Sequence, residues 1–348
     1  MTDLQHAKRV VLDHNADIDR LLRGNGSVDD VAMVLRKHTT DDYAWRGMHP
    51  FYEQEGADAV AETFWGPTIE AFSPLQRRTD VFLAGESVIE DGDADVWVCE
   101  MGHLLGLFDR PWLHIPPTRK MVFLRYAEFH RVVGDQIAET AMFVDVLSVM
   151  RQAGHYPLPP STGASHIHPG PMTHDGILLD PQDPAEGRAT IDLVHRMVDE
   201  LSKANDDADL HGDRMDREVL ARTWHEDMIW SGPEGIGATY TIDRYQQQHQ
   251  YPFRMNLTGK TFNGHVARFA EGDYACFFGW ANLTNQPAGG FLGLPASQPA
   301  DMRVVDVYRR DGDKLAENWV FIDLLHWLHM QGLDVLARMR QLTGQEEL

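Results

Sequence analysis

The stretch YAEFHRVVGDQIAETAMFVDVLSVMRQAG, residues 126–154, returns as VVDVYRRDGDKLAENWVFIDLLHWLHMQG at residues 304–332. Setting Gly134-Asp135 on Gly312-Asp313 brings Arg131 onto Arg309, Glu139 onto Glu317, Phe143 onto Phe321, Asp145 onto Asp323 and Gly154 onto Gly332 without a gap. A repeat this widely spaced means two copies of one domain, because solenoid units are much shorter. The length agrees: 348 residues exceed what a single core usually reaches.

Working outward, each copy opens with helical patterns. Residues 4–23 carry Leu4, Val11, Ile18, Leu21 and Leu22 at helical spacing, and Asn25-Gly26 closes that helix. Ser27 supplies a cap for the next. Residues 189–204 and Asp216 to His225 repeat the design, with Trp45 and Trp230 at equivalent positions. Further helical pieces are expected at 56–72 and 241–250. Strand-like runs then follow at 78–90 and 94–105 in one copy and at 258–270 and 273–283 in the other. The repeated stretch supplies a closing hairpin. Helices followed by a strand series predict an α+β domain with a curved mixed or antiparallel sheet wrapped on its N-terminal helices. The domains are expected at 1–154 and 188–348, joined by a Pro/Gly-rich linker, 155–187. The hairpin's opposite face is also apolar (Phe123, Ala127 and Phe129; Val305 and Val307), so both faces need cover. That predicts two domains packed face to face as an intramolecular pseudo-dimer.

The linker holds His155, His166, His168 and His174, with Asp175 beside the last. His-x-His on an extended chain places both rings on one side, as a metal requires, but no further ligand follows at a characteristic spacing. The expectation is a strap packed on the first domain, with no metal. A formal charge of −22 argues against nucleic acid and anionic membranes as partners. Two cysteines, Cys99 and Cys276, cannot build a disulfide framework, and no apolar run reaches the length of a membrane span. A cytoplasmic monomer or homodimer acting on a small molecule is the expectation.

Gly-Asp suits a two-residue turn. Continued without interruption, that register sets His130 across from Glu139, Glu128 from Ala141, Tyr126 from Phe143 and Leu124 from Asp145. In the second copy it sets Tyr308 against Glu317, Asp306 against Trp319, Val304 against Phe321 and Met302 against Asp323. Each copy would then place carboxylates among apolar side chains on one face. Desolvation raises the pKa of such carboxylates, and a facing His or Tyr can pass a proton. The bland alternative is that Glu139 and Glu317 tie down neighbouring donors while Asp145 and Asp323 cap at the strand ends. In the preceding strand Glu100 and His103 point to opposite faces, and parity with Cys99 and Met101 selects His103 for the pocket. Trp45, Trp112, Trp230, Phe277, Trp280 and Trp319 read as core before substrate platform, although an apolar pocket would use the same residues.

With these residues in view, the chain resembles the SnoaL-like polyketide cyclase family of the cone-shaped nuclear-transport-factor-two-like superfamily. That family shows a G-x-P-x-T-G-K segment before a strand, then Asp-Gly and a Glu-x-Trp-x-x-x-Asp run. Here Glu317-Asn-Trp319-Val-Phe-Ile-Asp323 keeps the run intact, and the first copy has Ala141 in place of Trp. Trp112-Leu-His-Ile-Pro-Pro-Thr-Arg-Lys120 and Phe291-Leu-Gly-Leu-Pro295 stand for the upstream segment, with His114 and Arg119 where the family often has Gly. The resemblance implies ring closure by an aldol step without metal or organic cofactor, its acid/base role falling on Asp145 and Asp323 with His130 as helper. Glu139 and Glu317 complete the expected catalytic set. Trp45, His103, Trp112, His114, Tyr126, Glu128, Phe143, Trp230, Trp280, Asp306, Tyr308, Trp319 and Phe321 form the expected pocket. His130 and His114 tilt the expectation toward the first copy. The alternatives are a non-catalytic small-molecule binder and a protein-interaction scaffold of the same fold.

Overall fold

The structure is a computed structural model that describes residues 4–24, 26–89, 95–206 and 215–344. The helix stop expected at Asn25 lies outside them. The chain divides into two compact units: Met1–Pro157 with Met172–Pro181 and Gly332–Leu348, and Leu158–Pro171 with Gln182–Gln331.

Unit 1 begins with α1, Leu4–Arg23, whose buried face includes Val11, Ile18 and Leu22. Each such aliphatic side chain contributes about 1.5–3 kcal/mol on burial. Next is α2, Val28–His38, which Ser27 caps as expected. Its Oγ accepts from the Asp30 N–H at 3.2 Å, and the Asp30 carboxylate accepts from the Ser27 N–H at 2.9 Å, so two orphan donors are satisfied reciprocally. Then come β1, Thr39–Gly47, and β2, Glu53–Glu55, followed by α3, Ala57–Val60, the helical turn Ala61–Trp65, and α4, Gly66–Ala71. The long strands are β3, Phe72–Glu86; β4, Val96–Phe108; β5, Met121–Val133; and β6, Gln136–Val144. The sheet order is β2-β1-β6-β5-β4-β3, with β1 and β6 parallel. α1 lies across β3 to β6, and α5, Val146–Gln152, follows β6.

Unit 2 repeats this plan. α6, Pro184–Asp206, begins inside the expected linker, with Pro at a helix start where its missing N–H costs nothing. The strands are β7, Trp224–Ser231; β8, Ala238–Tyr240; β9, Leu257–Phe262; β10, Ala267–Glu271; β11, Tyr274–Pro287; β12, Ala300–Asp311; and β13, Lys314–Ile322. Their order is β10-β11-β12-β13-β7-β8, with β9 on β11 and β13 parallel to β7. The run expected as one strand at 258–270 is therefore two. Both sheets are mixed and open, and each unit is α+β with helices first, as the sequence predicts. Among the described residues, no helix is long and apolar enough to cross a membrane.

The stretch between the copies carries no regular element before Pro184, only single bridges. Ile177 pairs with Phe82 in unit 1, and Ala164 pairs with Ala238 in unit 2.

Candidate functional site

The hairpin turns are as expected, with Gly134 at φ 57° and Gly312 at φ 63°. The register beyond them is not. Val133 faces Gln136 and Val132 faces Ile137, but Arg131 then faces Glu139, which leaves Ala138 as a bulged residue. In unit 2 Arg310 faces Leu315 and Arg309 faces Glu317, so Ala316 bulges. One extra residue sends every later side chain to the other face. The expected pairs are corrected accordingly. His130 faces Thr140, Glu128 faces Met142 and Tyr126 faces Val144. Tyr308 faces Asn318, Asp306 faces Val320 and Val304 faces Ile322. Glu139, Phe143, Glu317, Trp319 and Phe321 leave the face that carries Tyr126, Glu128 and His130 or their counterparts.

On that opposite face the two glutamates bind arginines. Glu139 accepts from Arg46 Nε at 2.6 Å and has Arg131 Nε at 3.5 Å. Glu317 accepts from Arg309 Nε. The Trp319 indole N–H donates to the Pro169 carbonyl at 3.0 Å. Asp145 and Asp323 are helix caps beyond the strand ends. Asp145 accepts from the Ser148 N–H at 3.0 Å, and Asp323 accepts from the His326 N–H at 3.1 Å with Arg303 Nη1 3.6 Å from its other oxygen. Asp323 has no exposed surface. These carboxylates hold backbone donors and cations, which is structural work.

The parity choice in β4 also reverses. Glu100 lies across from Glu128 and accepts from Asn15 of α1, so Glu100 takes the helix-covered face. His103 takes the other, beside Asp80 at 3.3 Å and the Phe123 ring at 5.7 Å. Trp112 is core, packed on Phe51 and Phe72. His114 and Arg119 are exposed on the loop after it, with φ of 63° and 55°. Trp280 is half-buried under the Arg303 guanidinium, 4.1 Å from the ring.

The helix-covered face of unit 1 is closed by its own charges. Arg77 Nη1 donates to Glu128 at 2.5 Å and to Glu100 at 3.4 Å, and Arg77 Nε donates to Asp19 at 3.1 Å. Glu100 accepts further bonds from Thr79, Asn15 and, at 2.8 Å, the Tyr126 hydroxyl. Arg77, Glu100, Glu128, Tyr126 and His130 are all buried. Burial alone would lower the Arg77 pKa; Glu100 and Glu128 outweigh it and hold it well above the ordinary value. Burial pushes His130 down to about 4, and His14, with its ring centroid 5.8 Å away, also falls well below its usual value. His130 is thus a neutral imidazole bonded to Thr140 Oγ1 at 2.9 Å. Trp45 and Phe64 are buried beside each other, with ring centroids 5.5 Å apart.

The same face of unit 2 differs at each corresponding position. Asp306 stands where unit 1 has Glu128, Tyr308 where it has His130, Asn318 where it has Thr140, and Phe277 where it has Glu100. The Tyr308 hydroxyl donates to Asp306 Oδ1 at 3.1 Å, and Asn318 Nδ2 donates to the same oxygen at 3.2 Å. Oδ2 accepts no hydrogen bond from the described residues, and Asp306 is only half-buried. Burial drives its pKa up to about 6 against the lowering effect of those two bonds. Phe277 lies across from Asp306 on β11, with the His265 ring stacked on it at 4.1 Å. The helical turn Ile242–Tyr245 brings Tyr245 into the field of Asp306, which adds to burial in raising the phenol's pKa. His249 stacks on Trp230 at 3.9 Å, and Phe253 lies beyond it at 5.7 Å. Burial pushes both His249 and His265 down to about 3, so they are neutral walls. A separate groove of about 530 Å³ near β8, with His166 and Arg244 in its lining, does not include Asp306.

Of the expected residues, the structure thus brings Asp306, Tyr308 and Trp230 to one site. It adds Asn318, Tyr245, His249 and His265, which the sequence reading missed, and takes in Phe277, read there as core before pocket. Asn318 lies inside the quoted Glu-x-Trp run, and recognising the bulge would have selected it.

No family model and no curated protein matches the chain. Solved structures do. A candidate SnoaL-like polyketide cyclase from Jannaschia sp. CCS1 is 22% identical over 43% of this chain and 93% of its own, with a TM-score of 0.32. AclR, a candidate hydroxylase from Streptomyces galilaeus, is 16% identical over 44% of this chain and 98% of its own, with a TM-score of 0.33. An NTF2-like protein from Burkholderia xenovorans is 11% identical over 42% and 97%, with a TM-score of 0.32. In fold, the chain is similar to SnoaL-like and nuclear-transport-factor-two-like proteins.

Proposed function

We propose that unit 2 is a cofactor-free acid/base enzyme of the cyclase or isomerase type, with Asp306 as the base, and that unit 1 is non-catalytic. One observation carries this reading: Asp306 is a half-buried carboxylate with one oxygen fixed by Tyr308 and Asn318 and the other open, its pKa raised to about 6. Such a group is ionised at neutral pH yet basic enough to take a proton from a carbon next to a carbonyl, and its protonated form can return that proton elsewhere. The substrate class that suits Phe277, Tyr245 and the Trp230–His249 stack is a small ring compound bearing a ketone. Tyr245 would donate to the enolate oxygen as charge develops there.

Deuterium uptake from D2O at the carbon next to the carbonyl of 2-tetralone, followed by NMR, tests the proposal. The unaltered protein should accelerate uptake, and Asp306→Asn should lose about a hundredfold or more of that acceleration. Asp145→Asn should retain it. Equal rates for the unaltered protein and Asp306→Asn would remove Asp306 from the chemistry. Saturable binding without any acceleration would favour a ligand-binding role instead.

A further inference from the structure

The register places Arg268 of β10, Phe277 of β11, Asp306 of β12 and Val320 of β13 in one row across the sheet. Directly paired residues share a face, so the guanidinium lies on the side that carries Asp306. Two strand spacings separate the Arg268 and Asp306 backbones by about 10 Å, with the Phe277 ring between them. Arg268 Nη2 lies 2.8 Å from His265 Nδ1. Because His265 is neutral, that nitrogen accepts, and the bond holds the guanidinium against the aromatic wall formed by His265 and Phe277. The Arg268 charge also reaches Tyr308, the donor to Asp306, while Asp199 of α6 supports it from the helix side.

We propose that Arg268 is the specificity-determining residue of this site, and that its ligand is an aromatic carboxylic acid: a planar ring over Phe277, with the carboxylate at Arg268 and the reacting carbon at Asp306. This rests on the reading of Asp306 as the base. A guanidinium offers a planar pair of donors that matches a carboxylate, whereas the surrounding rings offer only apolar surface. In a chain of net charge −22, an acidic ligand must be drawn in by a local cation. The acid function is therefore the group that this subsite selects.

Matched pairs test the inference on the full-length protein: benzoate, 1-naphthoate and 2-naphthoate, each against its neutral methyl ester, with affinities from ligand-observed NMR. For at least one pair the acid should bind about tenfold or more tighter than its ester. Arg268→Gln should abolish the preference while ester binding is kept, which also reports on folding. Arg268→Lys, which keeps the charge and loses the fork, should retain part of it. Asp306→Asn should keep or increase the preference, since it removes a negative charge from the same row. Absence of saturable binding by every acid overturns the proposal, as does a preference unchanged in both Arg268 variants. The preference is read in binding and proton transfer in deuterium uptake, so a site that binds acids without exchanging protons would remove only the role of Asp306, and exchange without acid preference would remove only the role of Arg268.

Discussion

Asp306 and Asp323 stand seventeen positions apart in the sequence, yet their surroundings give them opposite duties. Asp323 is sealed and bonded to a helix N-terminus, whereas Asp306 is partly open and held by burial at a pKa of about 6. In the unfolded chain an aspartate titrates near its ordinary value, so between about pH 4 and 6 the folded state binds more protons, and stability falls as pH rises through that window. Asp306→Asn should therefore stabilise unit 2 by on the order of 1–2 kcal/mol above pH 6, the gain vanishing below about pH 4. Urea denaturation at pH 4 and pH 7.5 measures it, and a variant less stable at pH 7.5 would contradict the raised pKa. Asp145→Ala should cost about 1–2 kcal/mol through the lost cap, and Asp145→Ser much less. The sequence reading named Asp306 and Tyr308 as pocket residues but gave the chemistry to Asp145 and Asp323. An acid repeated at both strand ends is equally a cap or a base, and only the backbone N–H it meets decides which.

At the scale of the element, the hairpins show what a sequence pattern can and cannot carry. Gly134 and Gly312 mark the turn because a two-residue loop needs positive φ, and that much was legible. Ala138 and Ala316 leave no comparable mark, since any small residue can bulge, and so the facing partners were misread. A second pair of elements repeats with more consequence. The Trp45 and Trp230 indoles fold back over Gly47 and Gly232, where an added Cβ would sit 2.1 Å from each ring. Gly232→Ala should push Trp230 off His249 and cost about 1–3 kcal/mol by overpacking, with deuterium uptake lost as the site wall shifts. Gly47→Ala should destabilise to a similar degree and leave uptake intact. Uptake lost in Gly47→Ala but kept in Gly232→Ala would move the active site to unit 1.

Over the whole molecule, duplication was plain from sequence, because the aligned stretches share residues at fixed offsets. Which copy holds the more open acidic group was not, because His130 looked more reactive than Tyr308 until burial made it a neutral, bonded ring. Unit 1 instead invests in the Arg77–Glu100–Glu128 network. Arg77→Met strands two buried carboxylates and should cost unit 1 about 3–5 kcal/mol. Hydrogen exchange should show the loss in β3 to β6 with β10 to β13 unaffected, and equal loss in both would mean that the units unfold as one. The bulges carry a last consequence, for inheritance. Losing the single codon of Ala316 would remove the bulge and leave Glu317 across from Arg309, Asn318 from Tyr308 and Val320 from Asp306, so a change of one residue in length at that point is absorbed with the face beside Asp306 intact. A frame of this kind lets the chain change its length by one residue inside a strand, with the turn, the facing pairs beyond it and the helices left as they were.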